Sequence, residues 1–449
     1  MNDSAVTIRP VHGKKDRKAF VDFAWEVYKD DPHWVPPLKD EVHGLITPGK
    51  NPWFEHAKAQ LWLAERDGKV VGRVSAQVDE LVQEHMGAGT GNWGMFEALD
   101  AEAAAALIKT AEEALRERGM TRALGPISLS IWDEPGLEIE GFDEDPTAMM
   151  GHHRPEYRFW IEAAGYEKAK DLLTYEVDIA HWEDPKINRL IAAGERNERI
   201  RIRMVDKSKF DEEARTILNI LNEAWSNNWG YVPLTEAEIA YAGKKLKPII
   251  YPELVRIAEL DGEPVAFMLT IPDINELTKD LNGELFPFNF IKLLWRLRNP
   301  RVSRARVPLM GVARKLHGSR MASMLAFMLI EFTRRDCVGK FGIETGEFGW
   351  ILEDNKGMLS IAELPGARVN HRYRIFEKSL VEAKPIAAPA EKKIGKKAEP
   401  KNAPAKAKRP AEPKSARGRS LSPRPAPSGR RPRKSAGPKP PASTEGGPA

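Results

Sequence analysis

Two Asp-Gly turns, each set between alternating apolar segments, constrain the fold of this chain more than any other feature. The turns are Asp67-Gly68 and Asp261-Gly262. Their flanking segments are Leu61–Glu65 and Val70–Gln77 in the first case, and Leu254–Leu260 and Pro264–Thr270 in the second. Asp-Gly accepts the positive φ angles of a two-residue hairpin turn, so each pair of segments predicts an antiparallel hairpin. The chain therefore contains two β-hairpins in comparable surroundings.

The same order of elements surrounds both hairpins: strand, helix, hairpin, strand, helix, strand, helix, strand. Outside its hairpin, the first half is predicted to contain Val6–Val11, Arg17–Tyr28, Trp93–Glu97, Ala101–Arg118, Arg122–Ile127, Pro155–Ala164 and Leu172–Val177. The second is predicted to contain Ile200–Val205, Glu212–Asn227, Ala305–Val312, Met321–Arg335, Phe341–Glu344, Gly357–Glu363 and His371–Glu377. The repeat predicts a mixed α/β fold of two tandem domains, 1–185 and 195–383.

The positive charge of the chain lies in its C-terminal segment, residues 384–449. This segment holds 18 Lys/Arg against 4 Asp/Glu and has no aromatic residue, whereas residues 1–383 hold 51 against 61. A segment rich in Pro, Ala and Lys buries too little apolar surface to offset its ordering entropy, so a disordered basic tail is predicted. A nucleic-acid function would rest on the tail alone and is not predicted. Anionic lipid is one possible partner, and a purely solubilising role is the alternative.

Few chemistries based on metals or thiols fit this composition. Cys337 is the single cysteine, which excludes an internal disulfide and a cysteine-based metal cluster. His152 and His153 are adjacent, with no second ligand pair at metal-binding spacing, and no metal is predicted. Residues 1–10 contain no apolar leader segment, so cytoplasmic residence is expected, with contact at the inner membrane surface as an extension.

The order of elements resembles that of the GNAT acyltransferases. The first hairpin is similar to theirs, Gly165-Tyr166 matches a step common after their final helix, and Asn355 matches an Asn that often opens that helix. More narrowly, the chain resembles a bacterial tandem-GNAT group of the YghO type. The segments that carry this resemblance are 92–97, 124–126, 228–233 and 349–355. Members of that neighbourhood have been linked to bacterial ceramide synthesis.

The resemblance implies a donor site at the turn between the fourth strand and the next helix. In the second half this turn is 314–322, and the family pattern falls on His317, Arg320 and Ala322. Arg320 stands where the pattern has its first Gly, so a plain structural turn is the alternative. The implied donor contacts are Met310, Gly311, Val312, His317, Gly318, Ser319, Arg320, Met321, Ala322 and Asn355. The corresponding first-half residues, 98–102, offer acidic side chains that would repel a pyrophosphate.

Amide formation from a thioester also needs a base for the amine and polarisation of the carbonyl. The candidate bases are Glu347, Glu344 and Glu97, with His317 as a further possibility. Tyr373 is the candidate donor of a proton to the leaving thiolate, and a packing role is the alternative. Backbone N–H groups at 310–312 are the candidate carbonyl ligands.

The predicted function is transfer of an acyl group, with a long chain favoured, from CoA or an acyl-carrier thioester to an amine. No cofactor is expected to be permanently bound. A small-metabolite N-acetyltransferase and a non-catalytic lipid- or protein-binding module stay open. The segment Phe286–Arg298 combines bulky apolar and basic residues and predicts either a membrane-surface helix or a packed helix.

Overall fold

The computed structural model describes residues 5–363 and 366–381. The predicted disordered tail, 384–449, lies outside the described residues. Among those residues, no helix has the length and apolar character needed to cross a membrane.

The first half of the chain contains nine strands and five helices in the described range. Its strands are β1 (Thr7–Pro10), β2 (Ala57–Arg66), β3 (Lys69–Asp79), β4 (Thr90–Ala98), β5 (Arg122–Gly125), β6 (Ile127–Ser128), β7 (Glu134–Pro135), β8 (Leu137–Glu140) and β9 (Glu167–Asp178). Its helices are α1 (Gly13–Val27), α2 (Lys39–Leu45), α3 (Glu80–His85), α4 (Ala101–Glu117) and α5 (Glu156–Ala163). The predicted hairpin is confirmed, with φ of 52° at Asp67 and 73° at Gly68.

The second half repeats the strand order, and its described strands are β10 (Ile200–Met204), β11 (Val255–Leu260), β12 (Glu263–Pro272), β13 (Arg304–Val312), β14 (Thr345–Leu352) and β15 (Arg368–Ser379). The helices that follow β9 are α6 (Pro185–Glu195), α7 (Phe210–Trp225), α8 (Glu236–Leu246), α9 (Ile274–Thr278), α10 (Asn289–Arg298), α11 (Arg320–Asp336) and α12 (Lys356–Ala362). The second Asp-Gly hairpin is confirmed as well.

One predicted strand of the second half is wrong. Residues 341–344 do not form a strand, because α11 continues into a π-helical turn over Cys337–Phe341 and Gly342 then takes a left-handed φ of 67°. The strand is β14, which begins at Thr345. The strand contains two glycines, in the sequence Thr-Gly-Glu-Phe-Gly-Trp-Ile-Leu. Glycine lowers strand propensity, so the sequence pattern did not predict this strand.

A single sheet passes through both halves. Its order is β1-β2-β3-β4-β5-β15-β9-β14-β13-β12-β11-β10, and β8 also pairs with β15. The last strand of each half therefore pairs with the other half: β9 lies against β14, and β15 lies against β5. The order of strands was predictable, but this exchange was not.

Helix α6 (Pro185–Glu195) fills the interval that separates the two predicted domains. Its Ile191 forms a small apolar cluster with Met324 and Met328 of α11. The boundaries at 185 and 195 remain a prediction.

The helices of the second half cover both faces of its part of the sheet. On one face, Leu325 and Leu329 of α11 pack in the same core as Val307 and Phe348. On the other face, Ile217 and Leu221 of α7 pack against Phe267 and Leu269, among other residues of β11 and β12. The polar groups described next lie between the sheet and segments contributed by the first half.

Candidate functional site

Two parallel strand pairs open along their length. In the second half, β13 and β14 pair from Arg304/Thr345 to Val307/Phe348 and then separate. In the first half, β4 and β5 pair only from Thr90/Arg122 to Asn92/Leu124. Such an opening exposes backbone groups of both strands to a ligand between them.

One position before the last pair, Val307/Phe348, Arg306 lies opposite Glu347. Glu347 is buried, and its carboxylate accepts hydrogen bonds from the Thr147 hydroxyl and from Asn370 Nδ2, the latter at 2.6 Å. Thr174 Oγ1 in turn donates to Asn370 Oδ1 at 2.6 Å. A buried carboxylate is tolerated when its oxygens are hydrogen-bonded, so this network fixes Glu347 at the point where the strands separate.

The Glu347 network depends on both halves of the chain. Thr147 lies on the loop between β8 and α5, Thr174 on β9 and Asn370 on β15. Arg306 is also buried, and its Nη1 and Nη2 donate to the carbonyl oxygens of Ala148 and Gly349. Burial lowers the pKa of the Arg306 guanidinium from its usual value, with the Glu347 charge opposing the shift.

An aromatic pocket lies beside the opening on the α7 face of the sheet. It is lined by Ile131, Trp132, Trp225, Asn228, Trp229, Gly230, Tyr231 and Trp350. Trp132 and Trp225 stack with ring centroids 6.1 Å apart, and Trp225 Nε1 donates to the Met310 carbonyl at 3.1 Å. The pocket therefore adjoins both separated strands, through Met310 of β13 and Trp350 of β14. The free volume of this pocket is only about 10 Å³, so an apolar ligand group would enter it only after the aromatic lining has moved apart.

A short two-stranded excursion, residues 126–136, closes the equivalent opening in the first half. Its strands β6 and β7 pair with each other, and a Cβ at Gly94 of β4 would lie only 2.1 Å from the Ile127 carbonyl oxygen. Ser128 Oγ also accepts the Met95 N–H at 3.2 Å. The tip of the same excursion supplies Ile131 and Trp132 to the aromatic pocket. The first half thus fills its own opening and helps to line the pocket of the second.

The second-half turn is exposed and basic. Ser319 caps α11 by accepting the Ala322 N–H at 3.1 Å, while Gly318 takes a φ of 70°. Arg314, Lys315, His317 and Arg320 are all exposed around it. Helix N-termini attract phosphate groups, and surrounding cations add to that attraction. The predicted donor contacts Gly318, Ser319, Arg320, Met321 and Ala322 all belong to this turn and the first residues of α11, which is consistent with an anion site.

Other predicted donor contacts are already used within the protein. His317 Nε2 lies 2.7 Å from the Val312 carbonyl oxygen. Met310 and Gly311 are buried in β13, and Asn355 caps α12 by accepting the Met358 N–H at 3.2 Å. Asn355 therefore has a structural role at the start of α12, whatever else it contacts.

The first-half turn has the opposite electrostatic character. Asp100 caps α4 by accepting the Ala103 N–H, and Arg66 forms ion pairs with Asp100 and Glu102, both at 2.6 Å. The helix terminus is thus already occupied by a carboxylate.

The other candidate catalytic residues lie in three different places. Glu97, on β4, is buried and accepts hydrogen bonds from Tyr28 and Tyr157, each at 2.8 Å. Glu344 is exposed just before β14, at the end away from the opening. Tyr373 is buried, and its hydroxyl donates to the Gly151 carbonyl at 3.0 Å. Burial raises the pKa of Tyr373 well above its usual value, so it stays protonated. The structure does not bring Glu344 or Glu97 beside Glu347.

A buried chain of acids and histidines crosses between the halves. His152 lies 2.9 Å from Asp31 and 3.0 Å from Glu138, and Glu138 lies 2.9 Å from His371. Burial acts to raise the pKa of Glu138, but His152 and His371 outweigh it and lower that pKa to about 2. Burial acts to lower the pKa of His152, but the carboxylates of Glu138 and Asp31 raise it above its usual value. Among the described residues, no group has the geometry of a metal site.

Sequence reasoning missed several residues of the site. Arg306, Thr147 and Asn370 contact or neighbour Glu347, but they belong to no motif and meet only through the exchanged strands. Trp132 and Trp225 lay in segments that could equally be core. The sequence signal for a cleft was that Trp229 and Trp350 each have a glycine as a direct neighbour in the chain.

Two curated proteins are similar to most of the chain. Protein YghO of Escherichia coli (strain K12) is 41% identical over 377 residues, which cover 83% of this chain and 95% of that protein. The bacterial ceramide synthase of Caulobacter vibrioides (strain NA1000 / CB15N) is 40% identical over 381 residues, or 84% and 98% of the two chains. No family model matches the sequence.

The fold is also similar to a solved structure, a tandem GNAT protein from the clavulanic acid biosynthesis pathway. The TM-score is 0.50 at 13% identity, and the match covers 84% of this chain and all of the other. That likeness concerns the fold, whereas the curated relatives share sequence along nearly their whole length. The chain therefore belongs to the family of GNAT-fold acyltransferases that includes YghO and the bacterial ceramide synthase.

Proposed function

We propose that this acyltransferase transfers a long acyl chain from CoA, or from a carrier-protein thioester, to the amine of a sphingoid base. The observation that carries the proposal is the combination found only at the second-half opening among the described residues. There, separating strands, an exposed basic helix terminus and an aromatic pocket occur together. The 40% identity to a bacterial ceramide synthase supports a sphingoid acceptor.

The donor is proposed to bind with its phosphates at the 314–322 turn and its pantetheine between β13 and β14. Arg314 and Arg320 would neutralise the phosphates, together with the first N–H groups of α11. Lys315 would join them only by leaving its ion pair with Glu263. A carrier-protein donor would present a phosphopantetheine to the same turn. Either donor places its thioester toward the point where the two strands meet, next to Glu347.

Glu347 is the proposed base. An amine with a pKa near 10 is about 99.9% protonated at pH 7, so a proton must leave before attack. The Glu347 carboxylate accepts that proton, and the neutral nitrogen then forms a C–N bond at the thioester carbon. Backbone N–H groups of 310–312 hold the developing oxyanion. The C–S bond breaks as the nitrogen loses its second proton and the thiolate leaves. Tyr373 is the proposed source of the proton that converts the thiolate to a thiol, and the proton released by the nitrogen restores the Tyr373 hydroxyl.

A lipid acceptor resides in a membrane, so the proposed partners include a membrane surface. The segment Phe286–Arg298 and the basic segment 384–449 are the proposed contacts. The proposed location is the cytoplasmic side of the inner membrane.

Product analysis tests the proposed function. The full chain is incubated with palmitoyl-CoA or acetyl-CoA and with sphinganine or a short polar amine, and amide products are measured by mass spectrometry. The proposal predicts an N-palmitoyl product with sphinganine. A preference for acetyl-CoA and the polar amine would favour the small-metabolite alternative. The absence of any amide from CoA or carrier-protein thioesters, with the protein folded, would leave a non-catalytic binding module.

A further inference from the structure

The segment that includes α10 exposes an unusual amount of apolar surface. Trp295 is 76% exposed, Phe288 73% and Phe286 69%. The other exposed apolar side chains of the segment are Phe290, Ile291 and Leu294. Six large apolar residues on one short stretch form a contiguous patch, whereas isolated exposed apolar residues would need no explanation. We call these six residues the apolar patch.

Helix α10 is apolar on the side that faces solvent. Leu293 and Leu297 pack against the second-half core, as expected for an amphipathic helix. The outward side carries Ile291, Leu294 and Trp295, at the spacing i, i+3, i+4 that places them on one stripe. A helix of a soluble surface would carry polar residues there. The outward stripe therefore lacks a partner within the described part of the chain.

Specific contacts hold the patch in place. The Tyr251 hydroxyl donates to the Leu297 carbonyl at 2.6 Å, and Arg296 donates to the Leu277 carbonyl at 2.5 Å and to Asp280 at 2.6 Å. Lys292 also pairs with Asp280, at 2.5 Å. The apolar side chains are therefore displayed by an anchored helix rather than by a frayed one.

The surroundings of the patch are cationic. Residues 279–301 contain five Lys/Arg and two Asp/Glu, and both acids are paired, Asp280 as above and Glu284 with Lys39. Arg298 and Arg301 are exposed and form no ion pair with any residue that the structure describes. An apolar centre with a basic rim is complementary to a bilayer with anionic headgroups, since the rim meets phosphate while the centre enters the acyl boundary.

We infer that the apolar patch docks this protein on the surface of an anionic phospholipid bilayer, with Phe286, Phe288, Leu294 and Trp295 inserted and Arg298 and Arg301 at the headgroups. This inference deepens the proposed function, because docking would give the protein access to a lipid amine. Only that purpose rests on the proposed function.

Docking at this patch sets the orientation of the donor site. The patch precedes Arg304, where β13 begins, whereas the basic turn follows Val312, where β13 ends. Nine strand residues span roughly 30 Å. The apolar patch and the basic turn therefore lie toward opposite ends of β13.

Vesicle co-sedimentation of the full chain at physiological salt tests the inference. The vesicles are pure phosphatidylcholine or phosphatidylcholine with about one-third phosphatidylglycerol. The double variant Leu294→Ser/Trp295→Ser should lower the apparent affinity for anionic vesicles by about tenfold or more. Arg298→Glu/Arg301→Glu should lower it by a similar factor and reduce the preference for anionic over neutral vesicles. Phe159→Ser, which removes a 64%-exposed apolar residue of α5, is the matched control and should leave binding within about twofold.

Binding of the Leu294→Ser/Trp295→Ser variant at the wild-type level would overturn the inference, because the basic tail would then suffice. An equal loss in Phe159→Ser, or no binding by the wild type, would overturn it too. Self-association of the wild type that disappears in the double variant would assign the patch to a second copy instead. Amide formation from detergent-dispersed substrates separates the two proposals, since the double variant should keep that turnover. A protein that binds vesicles but makes no amide would refute the proposed function and leave the docking inference standing.

Discussion

At the scale of single residues, the most informative observation is that Glu347 is buried with one hydrogen bond to each of its carboxylate oxygens. Thr147 and Asn370 each satisfy one of its oxygens. Such a carboxylate is held in one orientation at the point where β13 and β14 part. Glu344, three residues earlier, shares its chemistry but is exposed. A comparison of Glu344 with Glu347 therefore distinguishes the effect of where the carboxylate lies from the effect of having a carboxylate in this segment.

Glu347→Gln should reduce kcat by about 100-fold or more, the usual size of a general-base contribution. The amide is isosteric, so the fold should persist, with a thermal midpoint close to that of the wild type. Steady-state amide formation and thermal unfolding check this. Glu344→Gln is the control and should keep wild-type kcat. Equal turnover of the two variants would remove Glu347 from the mechanism.

The histidine and carboxylate chain predicts a pH-dependent stability. The pKa of His152 is raised above its usual 6.5 by Glu138 and Asp31, so protonation favours the folded state. That stabilisation is fully present below pH 6.5 and is lost as the pH rises through the folded-state pKa. His152→Gln should therefore lower the thermal midpoint more at pH 6 than at pH 9.

Thermal unfolding of both proteins between pH 6 and pH 9 checks the His152 prediction. His181→Gln, at an exposed position, is a suitable control and should show little effect at either pH. A His152→Gln difference that is constant with pH, or that grows as the pH rises, would contradict the assigned protonation.

At the scale of elements, the excursion 126–136 converts one of two similar openings into a closed one. Its Ile127 and Ser128 pack against β4, and its Trp132 reaches the pocket of the second half. Trp132 Nε1 also donates to the Val232 carbonyl at 2.8 Å, which fixes the indole across the pocket. The first half thus supplies part of the lining of a pocket that lies beside β13 and β14 of the second half.

Trp132→Ala should enlarge the aromatic pocket and weaken its contact with an apolar substrate. We take the apolar chain of the lipid amine as the occupant of this pocket. The KM for that amine is then expected to rise by about tenfold, since burial of an aromatic side chain contributes a few kcal/mol and part of that is lost. The KM for the CoA donor should change little, because the turn lies elsewhere. Steady-state kinetics with each substrate varied in turn checks this, and a change confined to the donor would contradict the assignment of the pocket.

The elements themselves were largely predictable from the sequence. Asp67-Gly68 and Asp261-Gly262 specify their hairpins by local conformation alone, and α4 and α11 follow from apolar periodicity. β14 was not predictable, because its two glycines lower strand propensity and only its neighbours β9 and β13 stabilise it. The hydrogen bonds to Glu347 were not predictable either, because Thr147 and Asn370 come close to it only when strands from distant parts of the chain have paired.

At the scale of the whole molecule, the exchange of last strands makes the halves interdependent. Leu173, Tyr175 and Val177 of β9 belong to the core of the second half, and Phe376 of β15 belongs to the core of the first. Neither half would have a complete sheet or core without the other. The sequence repeat predicted two similar units but held no information on which last strand pairs with which sheet.

Residues 1–195 and 196–383 expressed separately should each lack a cooperative thermal transition, because each would lose an interior strand of its sheet. Co-expression should restore a folded complex through the β9–β14 and β15–β5 pairs. Calorimetry and size-exclusion chromatography check this. Independent, cooperative unfolding of either segment alone would contradict a fold held together by exchanged strands.

Calorimetric titration of the full chain with palmitoyl-CoA tests donor binding at the second-half turn directly. Arg314→Ala/Arg320→Ala removes two exposed cations of the second-half turn, and Lys14→Ala/Lys15→Ala removes two exposed cations of α1. The donor assignment predicts that the first variant raises the Kd by about tenfold or more, since each cation–phosphate contact contributes on the order of 1 kcal/mol, whereas the second leaves it unchanged. Equal affinity of both variants would contradict donor binding at the second-half turn.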